Sequence, residues 1–323
     1  MQTSLEATGN AINGGYSIER LCTDNLDHLM LLHEAVYDSR PEPDHYFRKY
    51  DTSYTGVSYV GFIAYNKERV PVAYYGVIPC LIQSGDDIIL AAQSADTMTH
   101  PHHRYKGMFV ELSKMTFELC RQLDIRFVFG FPNQHSYHGA VNKLGWQLIV
   151  QMVYFTIQVK GLPLEAISSK VPGLGKIYNK YRKSLLSKIQ TDQPYVASSI
   201  IADGFAGVYR SEEYFGYKTY SETRTIQINN VKIWISNKPG MLIGDIEGLN
   251  EVNFKNTIAK LKAMAGKLGI RQVQFHCSPD TSLCRLFQAH YPASPSYPVL
   301  FQDFGSAISP MKTRFCFADI DIF

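Results

Sequence analysis

Apolar residues recur along the chain in two rhythms, and the switches between them lay out its elements. Tyr16 to Cys22 reads as a strand, and Asp24 to Tyr37 reads as a helix with Asp24 as its cap. Three runs rich in β-branched and aromatic residues follow: Tyr59 to Tyr65, Val70 to Gln83 and Ile88 to Thr99. The turn-like segments Asn66-Lys67-Glu68 and Ser84-Gly85-Asp86-Asp87 separate them, so they predict an antiparallel meander. From Gly107 to Leu123 the apolar residues fall at 108, 109, 112, 115, 119 and 123, which predicts a helix of about four turns. Arg126 to Phe131 predicts a buried strand, Ser136 to Leu144 a short helix stopped by Gly145, and Gln147 to Val159 one or two more strands. The order β α β β β α β α β implies an α/β fold, with a mixed, mainly antiparallel sheet flanked by helices.

Part of this pattern occurs twice. The segment LDIRFVFGFPNQHSYHGAVNKLG, from Leu123, is echoed by LGIRQVQFHCSPDTSLCRLFQAHY, from Leu268. Each follows an amphipathic helix and holds a strand, a polar loop with proline and a short helix. Phe254 to Leu268 supplies the second long helix, with Thr225 to Ser236 and Met241 to Ile246 as the strands before it. A chain of 323 residues has room for two cores. Residues 1–160 and 194–323 are therefore expected as two duplicated domains, with a helical linker over 161–193 broken by Pro163, Pro172, Gly173 and Gly175.

Composition narrows the classes. Apolar residues make up 45% and charged residues 19%, with 13% aromatic, which excludes a disordered chain. A net charge of +3 from 32 basic and 29 acidic residues is too balanced to call for nucleic acid or a membrane as partner. The local exception is Lys170 to Lys188, where Lys170, Lys176, Lys180, Arg182, Lys183 and Lys188 read as the exposed face of a linker helix. Six cysteines without CxxC spacing read as reduced core residues. No run nears the roughly 20 apolar residues of a membrane span, and the N-terminus lacks signal features, so a cytoplasmic location is the default expectation.

The candidate chemistry lies where a strand gives way to the long helix. Ala91 to Thr99 ends in His100-Pro101-His102-His103, and Arg104-Tyr105-Lys106-Gly107-Met108-Phe109 leads into the helix. The first N–H groups of a helix lack internal partners and carry the positive end of its dipole, so a phosphate is favoured there. Gly107, without a Cβ, lets it come close.

Arg-x-x-Gly-x after a strand, Asn133 at the exit of the next strand and the ending Lys143-Leu144-Gly145-Trp146 together resemble the GCN5-related N-acetyltransferase superfamily. The resemblance covers about residues 16 to 160, with a weaker copy after 194. It implies acyl-CoA, most simply acetyl-CoA, as co-substrate. The pyrophosphate would lie on Arg104, Tyr105, Lys106, Gly107, Met108 and Phe109, the pantetheine along Thr97, Met98 and Thr99, and Asn133 beside them. Phe109 stands where that family has a small residue. In the second copy the matching junction, Ile246 to Glu251, holds two acids and no base, so one cofactor site per chain is expected, with the second domain shaping an acceptor pocket or an interface.

Attack of an amine on a thioester calls for a base, a carbonyl-polarising N–H and an acid. Relatives place a carboxylate where Asp96 lies, which makes it the candidate base through water. Strand alternation puts Ser94, Asp96 and Met98 on one face. The family's acid, a tyrosine, corresponds to Val141 here. Tyr137, one helical turn earlier on the same face, is the substitute candidate. His100, His102, His103, His135 and His138 have no companion ligand at a metal-binding spacing, so no metal is expected. Arg314 to Phe323 reads as an alternating edge strand, and in some tandem relatives the terminal carboxylate serves as base.

The resulting expectation is an acyl-CoA-dependent N-acyltransferase acting on a primary amine of a small molecule or sugar, with self-association left open. Two alternatives stand beside it. One is an aminoacyl-tRNA-dependent transferase of the peptidoglycan-branching type, which would need a basic groove for RNA. The other is a non-catalytic acyl-CoA-binding scaffold.

Overall fold

The computed structural model describes residues 11–12, 15–171, 173–188, 191, 194–236 and 240–323. The polar lead-in at 1–10, Pro172 and the linker end at Gln193 lie outside the described residues. The chain forms two compact units. The first comprises Met1–Ile82, Ile88–Ile149 and Val299–Ala307, and the second Gln83–Asp87, Val150–Pro298 and Ile308–Phe323.

In the first unit, β1 (Tyr16–Arg20) is followed by α1 (Leu26–Tyr37), α2 (His45–Tyr50), β2 (Val60–Tyr65), β3 (Pro71–Ser84) and β4 (Asp87–Thr99). Then come α3 (Met108–Gln122), β5 (Phe127–Gly130) and α4 (Gln134–Leu144). Antiparallel pairing joins β1 to β2 and β2 to β3. β4 follows β3 in the sheet and pairs in parallel with β5, through Ala92↔Val128, Gln93↔Phe129 and Ser94↔Gly130. Parallel partners need a crossover, and α3 supplies it. Its Leu112, Phe117 and Cys120 pack with Tyr75, Val77, Val128 and Trp146. The buried hydroxyls of Ser113 and Thr116 donate to the carbonyls four residues back, at 2.6 and 2.8 Å.

Two expectations need revision here. Asp24 does not cap α1. Asn25 ties the entry instead, accepting the Cys22 N–H at 2.9 Å and donating to the Arg20 carbonyl at 2.9 Å. The helix α2 was not read from the sequence at all.

The second unit holds most of β6 (Gln147–Gln158), then α5 (Leu164–Lys170), α6 (Leu174–Ser187), β7 (Thr223–Ile228), β8 (Val231–Ser236) and β9 (Met241–Glu247). α7 (Phe254–Lys267), β10 (Gln272–Cys277), α8 (Ser282–Gln288) and β11 (Ala293–Asp303) follow, and shorter helices lie at Ser199–Ala202 and Glu212–Tyr217. Here β7, β8 and β9 form an antiparallel meander, and β9 pairs in parallel with β10 across the α7 crossover. This is the sequence of steps already seen in β2 to β5. β6 closes antiparallel on β10.

The units do not follow the expected limits of 1–160 and 194–323. The linker helices and residues 150–158 belong to the second unit, while the end of β11 belongs to the first, pairing antiparallel with β5 through Leu300↔Gly130 to Asp303↔Phe127.

Residues 314–323 correct another expectation, because they are no strand. A single bridge, Cys316↔Cys277, gives way to a turn of 3-10 helix at Phe317–Asp319. The cause is the Asp319 carboxylate, which accepts the Cys316 N–H at 2.8 Å and pairs at 2.9 Å with Arg210. Arg210 is itself buried and also bound to Asp245 at 2.7 Å. Phe323 ends this segment edge-on to Trp234, 0% exposed.

Candidate active site

Pairing between β4 and β5 stops at Ser94↔Gly130, yet β4 runs on to Thr99. Asp96 lies in this extension with a φ of 49°, and a left-handed residue inside a strand breaks the pleat. Ser94 and Asp96 consequently do not share a face, which corrects the alternation. Ser94 Oγ donates at 3.0 Å to Tyr75, whose ring stands edge-on to Phe117 of α3. Asp96 turns instead toward α2, whose Tyr50 stands edge-on to Tyr74, the neighbour of Tyr75 on the opposite face of β3.

Two residues of α2 hold the Asp96 carboxylate. Lys49 Nζ lies at 2.7 Å and Tyr50 Oη donates at 2.9 Å. The lysine side chain is only 4% exposed and the carboxylate 21%. Burial alone would raise the pKa of Asp96, but the charge and hydrogen bond of Lys49, with the Tyr50 hydroxyl, outweigh it and hold the pKa below the ordinary value. Behind them Tyr46 stacks on Tyr50, and its hydroxyl is 2.7 Å from His33 Nδ1. Sequence reading passed over Lys49 and Tyr50. Their signal was a helical stripe of Tyr46, Lys49 and Tyr50, all now buried, with a lysine among aromatic residues.

The loop between β4 and α3 is built from turns. His100 N–H donates to the Val72 carbonyl at 2.8 Å, and Pro101–His103 form one turn of 3-10 helix. Arg104 Nε reaches the Thr99 carbonyl at 3.4 Å. Lys106 Nζ donates to Tyr16 Oη at 2.9 Å, and His103 Nδ1 lies 2.9 Å from the same hydroxyl. Burial, then neighbouring cations, lower the pKa values of His100 and His103, so positive charge at pH 7 comes from Arg104 and Lys106. Tyr105 and Gly107 are both left-handed, with φ of 64° and 81°.

Gly107 is the N-cap of α3. No side chain caps the helix, and nothing lies within 4 Å of where a Cβ would stand. The next two side chains point inward. Met108 is 2% exposed, while the Phe109 ring sits edge-on to Tyr75 and 3.0 Å from the Cβ position of Gly139. The large residue at 109 thus fits by entering the core, where Gly139 leaves room. It leaves the backbone of the turn open to solvent.

The remaining expected residues are distributed as follows. Met98 is buried, and Thr97 and Thr99 are half-buried. The Asn133 side-chain oxygen accepts the Ser136 N–H at 3.1 Å and so caps α4. Tyr137 and Val141 pack together against the core on the α3 side, and no hydrogen bond joins Tyr137 to Asp96 among the described residues. The described residues also contain no group of three His, Cys, Asp or Glu placed to hold a metal. At the β9 to α7 junction of the second unit, Asn250 and Asn253 occupy the turn's own donors, and Glu247 lies 3.6 Å from Lys232. That turn offers a phosphate no charge.

A family model described as "Acetyltransferase (GNAT) domain" matches residues 17–149. Those residues are a domain of the GCN5-related N-acetyltransferase (GNAT) superfamily. Comparison with curated sequences gives no significant match. Among solved structures, a GCN5-related N-acetyltransferase from Kribbella flavida is similar, with a TM-score of 0.59 and 11% identity over 92% of this chain and 73% of that one. A Pyrococcus horikoshii protein assigned as an acetyltransferase gives 0.53 and 10%, covering 98% of both chains. An Enterococcus faecalis protein of unknown function, assigned as an N-acyltransferase, gives 0.53 and 12% over 90% of this chain and 73% of that one. At these identities the likeness is one of fold. In the GNAT domain, only the loop at 100–107 separates the strand that runs past its partner from the open helix start.

Proposed function

We propose that this chain is an N-acyltransferase that takes acetyl-CoA at the GNAT domain and transfers the acetyl group to a primary amine of a small molecule or sugar. The main support is the uncapped start of α3 at Gly107, one short loop after the extension of β4 beyond its pairing with β5. Backbone N–H groups at the turn would take the pyrophosphate, with Arg104 and Lys106 as nearby charge. The main chain of Thr97 to Thr99 offers strand-like partners to the amides of pantetheine. The amine nitrogen attacks the thioester carbonyl carbon, the C–S bond breaks, and the nitrogen loses a proton while the thiolate gains one.

Asp96, kept ionised by Lys49, has too low a proton affinity to strip an ammonium group efficiently. In this reading it is a fixed anion that favours a cationic acceptor, and water removes the proton. Tyr137 is the candidate donor to the thiolate. The repeat of meander and parallel crossover in the second unit supports a tandem GNAT arrangement, with the cofactor on the first copy alone.

Calorimetric titration with CoA tests the loop. Gly107→Trp is expected to abolish binding, because an indole and a non-glycine φ both intrude on the turn. Unchanged affinity would overturn the assignment. Tyr137→Phe is expected to lower kcat about 10- to 100-fold with CoA affinity unchanged. The non-catalytic reading is favoured by the ion pair that occupies Asp96, and it gains if CoA binds but no amine in a broad panel is acetylated.

A further inference from the structure

Six of the seventeen large apolar side chains that are exposed among the described residues fall between 162 and 181. They lie on the α5–α6 hairpin of the second unit. This is not a helix awaiting its core. α6 already buries Tyr178 and Leu186, and the Tyr178 and Tyr181 hydroxyls donate to the carbonyls of Leu268 and Lys267 at 2.8 and 2.9 Å. A second apolar stripe faces outward: Leu162 at 72% exposed, Ile177 at 66%, and Ile167, Val171 and Leu174 beside them. Among the described residues, none of these five side chains belongs to the unit's buried core cluster.

Charge tells what suits this stripe. Residues 161–188 contain six basic residues and one acid, Glu165, in a chain whose overall charge is only +3. On α6 the helical period sets Lys176, Lys180 and Lys183 along the flank of Leu174 and Ile177, all of them exposed. The cations are lysines, with one arginine, and five of the six exposed apolar residues are aliphatic, the sixth being Tyr181, whose hydroxyl is bound to Lys267. The core of a protein interface is depleted in lysine and enriched in aromatic residues and arginine. Aliphatic side chains rimmed by flexible lysines suit a lipid surface, where the stems stay in the apolar layer and the ammonium groups reach the phosphates.

We propose that the α5–α6 hairpin docks the protein on an anionic lipid surface, Leu162 and Ile177 entering the headgroup boundary and the flanking lysines pairing with lipid phosphates. The balanced net charge argued against a membrane partner, but binding of this kind depends on the local face. No helix of the described residues is long and apolar enough to cross a membrane, so the association is peripheral. It is independent of the acyltransferase reading.

Co-sedimentation of the full chain with vesicles tests it. Binding to phosphatidylcholine vesicles containing phosphatidylserine is expected to exceed binding to phosphatidylcholine alone by about tenfold or more, and to weaken with salt. Leu162→Asp with Ile177→Asp, and separately Lys176→Glu with Lys180→Glu and Lys183→Glu, should each remove that excess. Ile177→Trp gives a readout that does not depend on losing function. Its fluorescence should be quenched by brominated acyl chains in anionic vesicles, whereas the native Trp146 and Trp234, both buried, should not respond. Equal sedimentation with the two vesicle types, or an unquenched Ile177→Trp, overturns the proposal. Retention of tRNA at physiological salt without vesicle binding overturns it in favour of RNA.

Discussion

His276 lies between the rings of Tyr154 and Phe317, at 5.1 and 4.8 Å, with Nδ1 2.7 Å from Ser296 Oγ and a buried Nε2 that has no partner. Burial pushes its pKa from 6.5 down to about 4. Between those values the unfolded chain binds the proton and the folded chain does not. Stability from this residue is therefore complete above about pH 6.5 and is lost as pH falls toward 4, by roughly 3 kcal/mol in all. Urea denaturation across this range should show the slope, and His276→Leu should flatten it. An unchanged slope in that variant would assign the effect elsewhere. The same dependence on surroundings governs Phe109 and Asp96. A sequence shows a large residue in a phosphate turn and a carboxylate on a strand. Gly139 lets the first point inward, and Lys49 holds the second ionised.

α2 is the element that alters the site most, although it is only six residues long. Its Lys49 compensates Asp96 at low exposure, so Lys49→Met leaves a carboxylate without its cation and should cost about 3 kcal/mol. Adding Asp96→Asn should recover much of that loss, and a double-mutant cycle in chemical denaturation measures the coupling. Additive losses would show that the pair contributes nothing beyond packing. Because the paired carboxylate titrates below its ordinary 3.8, its contribution is present above that pH and lost as pH falls through the lowered value. The longer elements were legible because their apolar period is sustained: β2, β3, β4 and α3 begin and end within a residue or two of their expected limits. α2 was not, because six residues rich in polar and aromatic types give too little period to distinguish a helix from a loop.

The first unit is completed by residues from near the other end of the chain. Val299, Leu300 and Phe301 are at most 1% exposed, and Phe301 stacks on Phe127 at 4.3 Å. Their burial is worth roughly 5 kcal/mol, a large share of the 5–15 kcal/mol that stabilises a typical domain. Residues 1–160 produced alone should therefore fail to unfold cooperatively, or should melt far below the full chain, as followed by circular dichroism. An equal melting temperature would show that the returning strand is dispensable.

Local pattern determined the strands, the long helices and the loop at Gly107, since each rests on period or on the conformational freedom of one residue. Tertiary structure alone decided that the end of β11, from Val299, serves the first unit, that residues 314–323 turn rather than extend, and that Asp96 meets Lys49. Strand partners and buried ion pairs join residues far apart in sequence, and no local period records them.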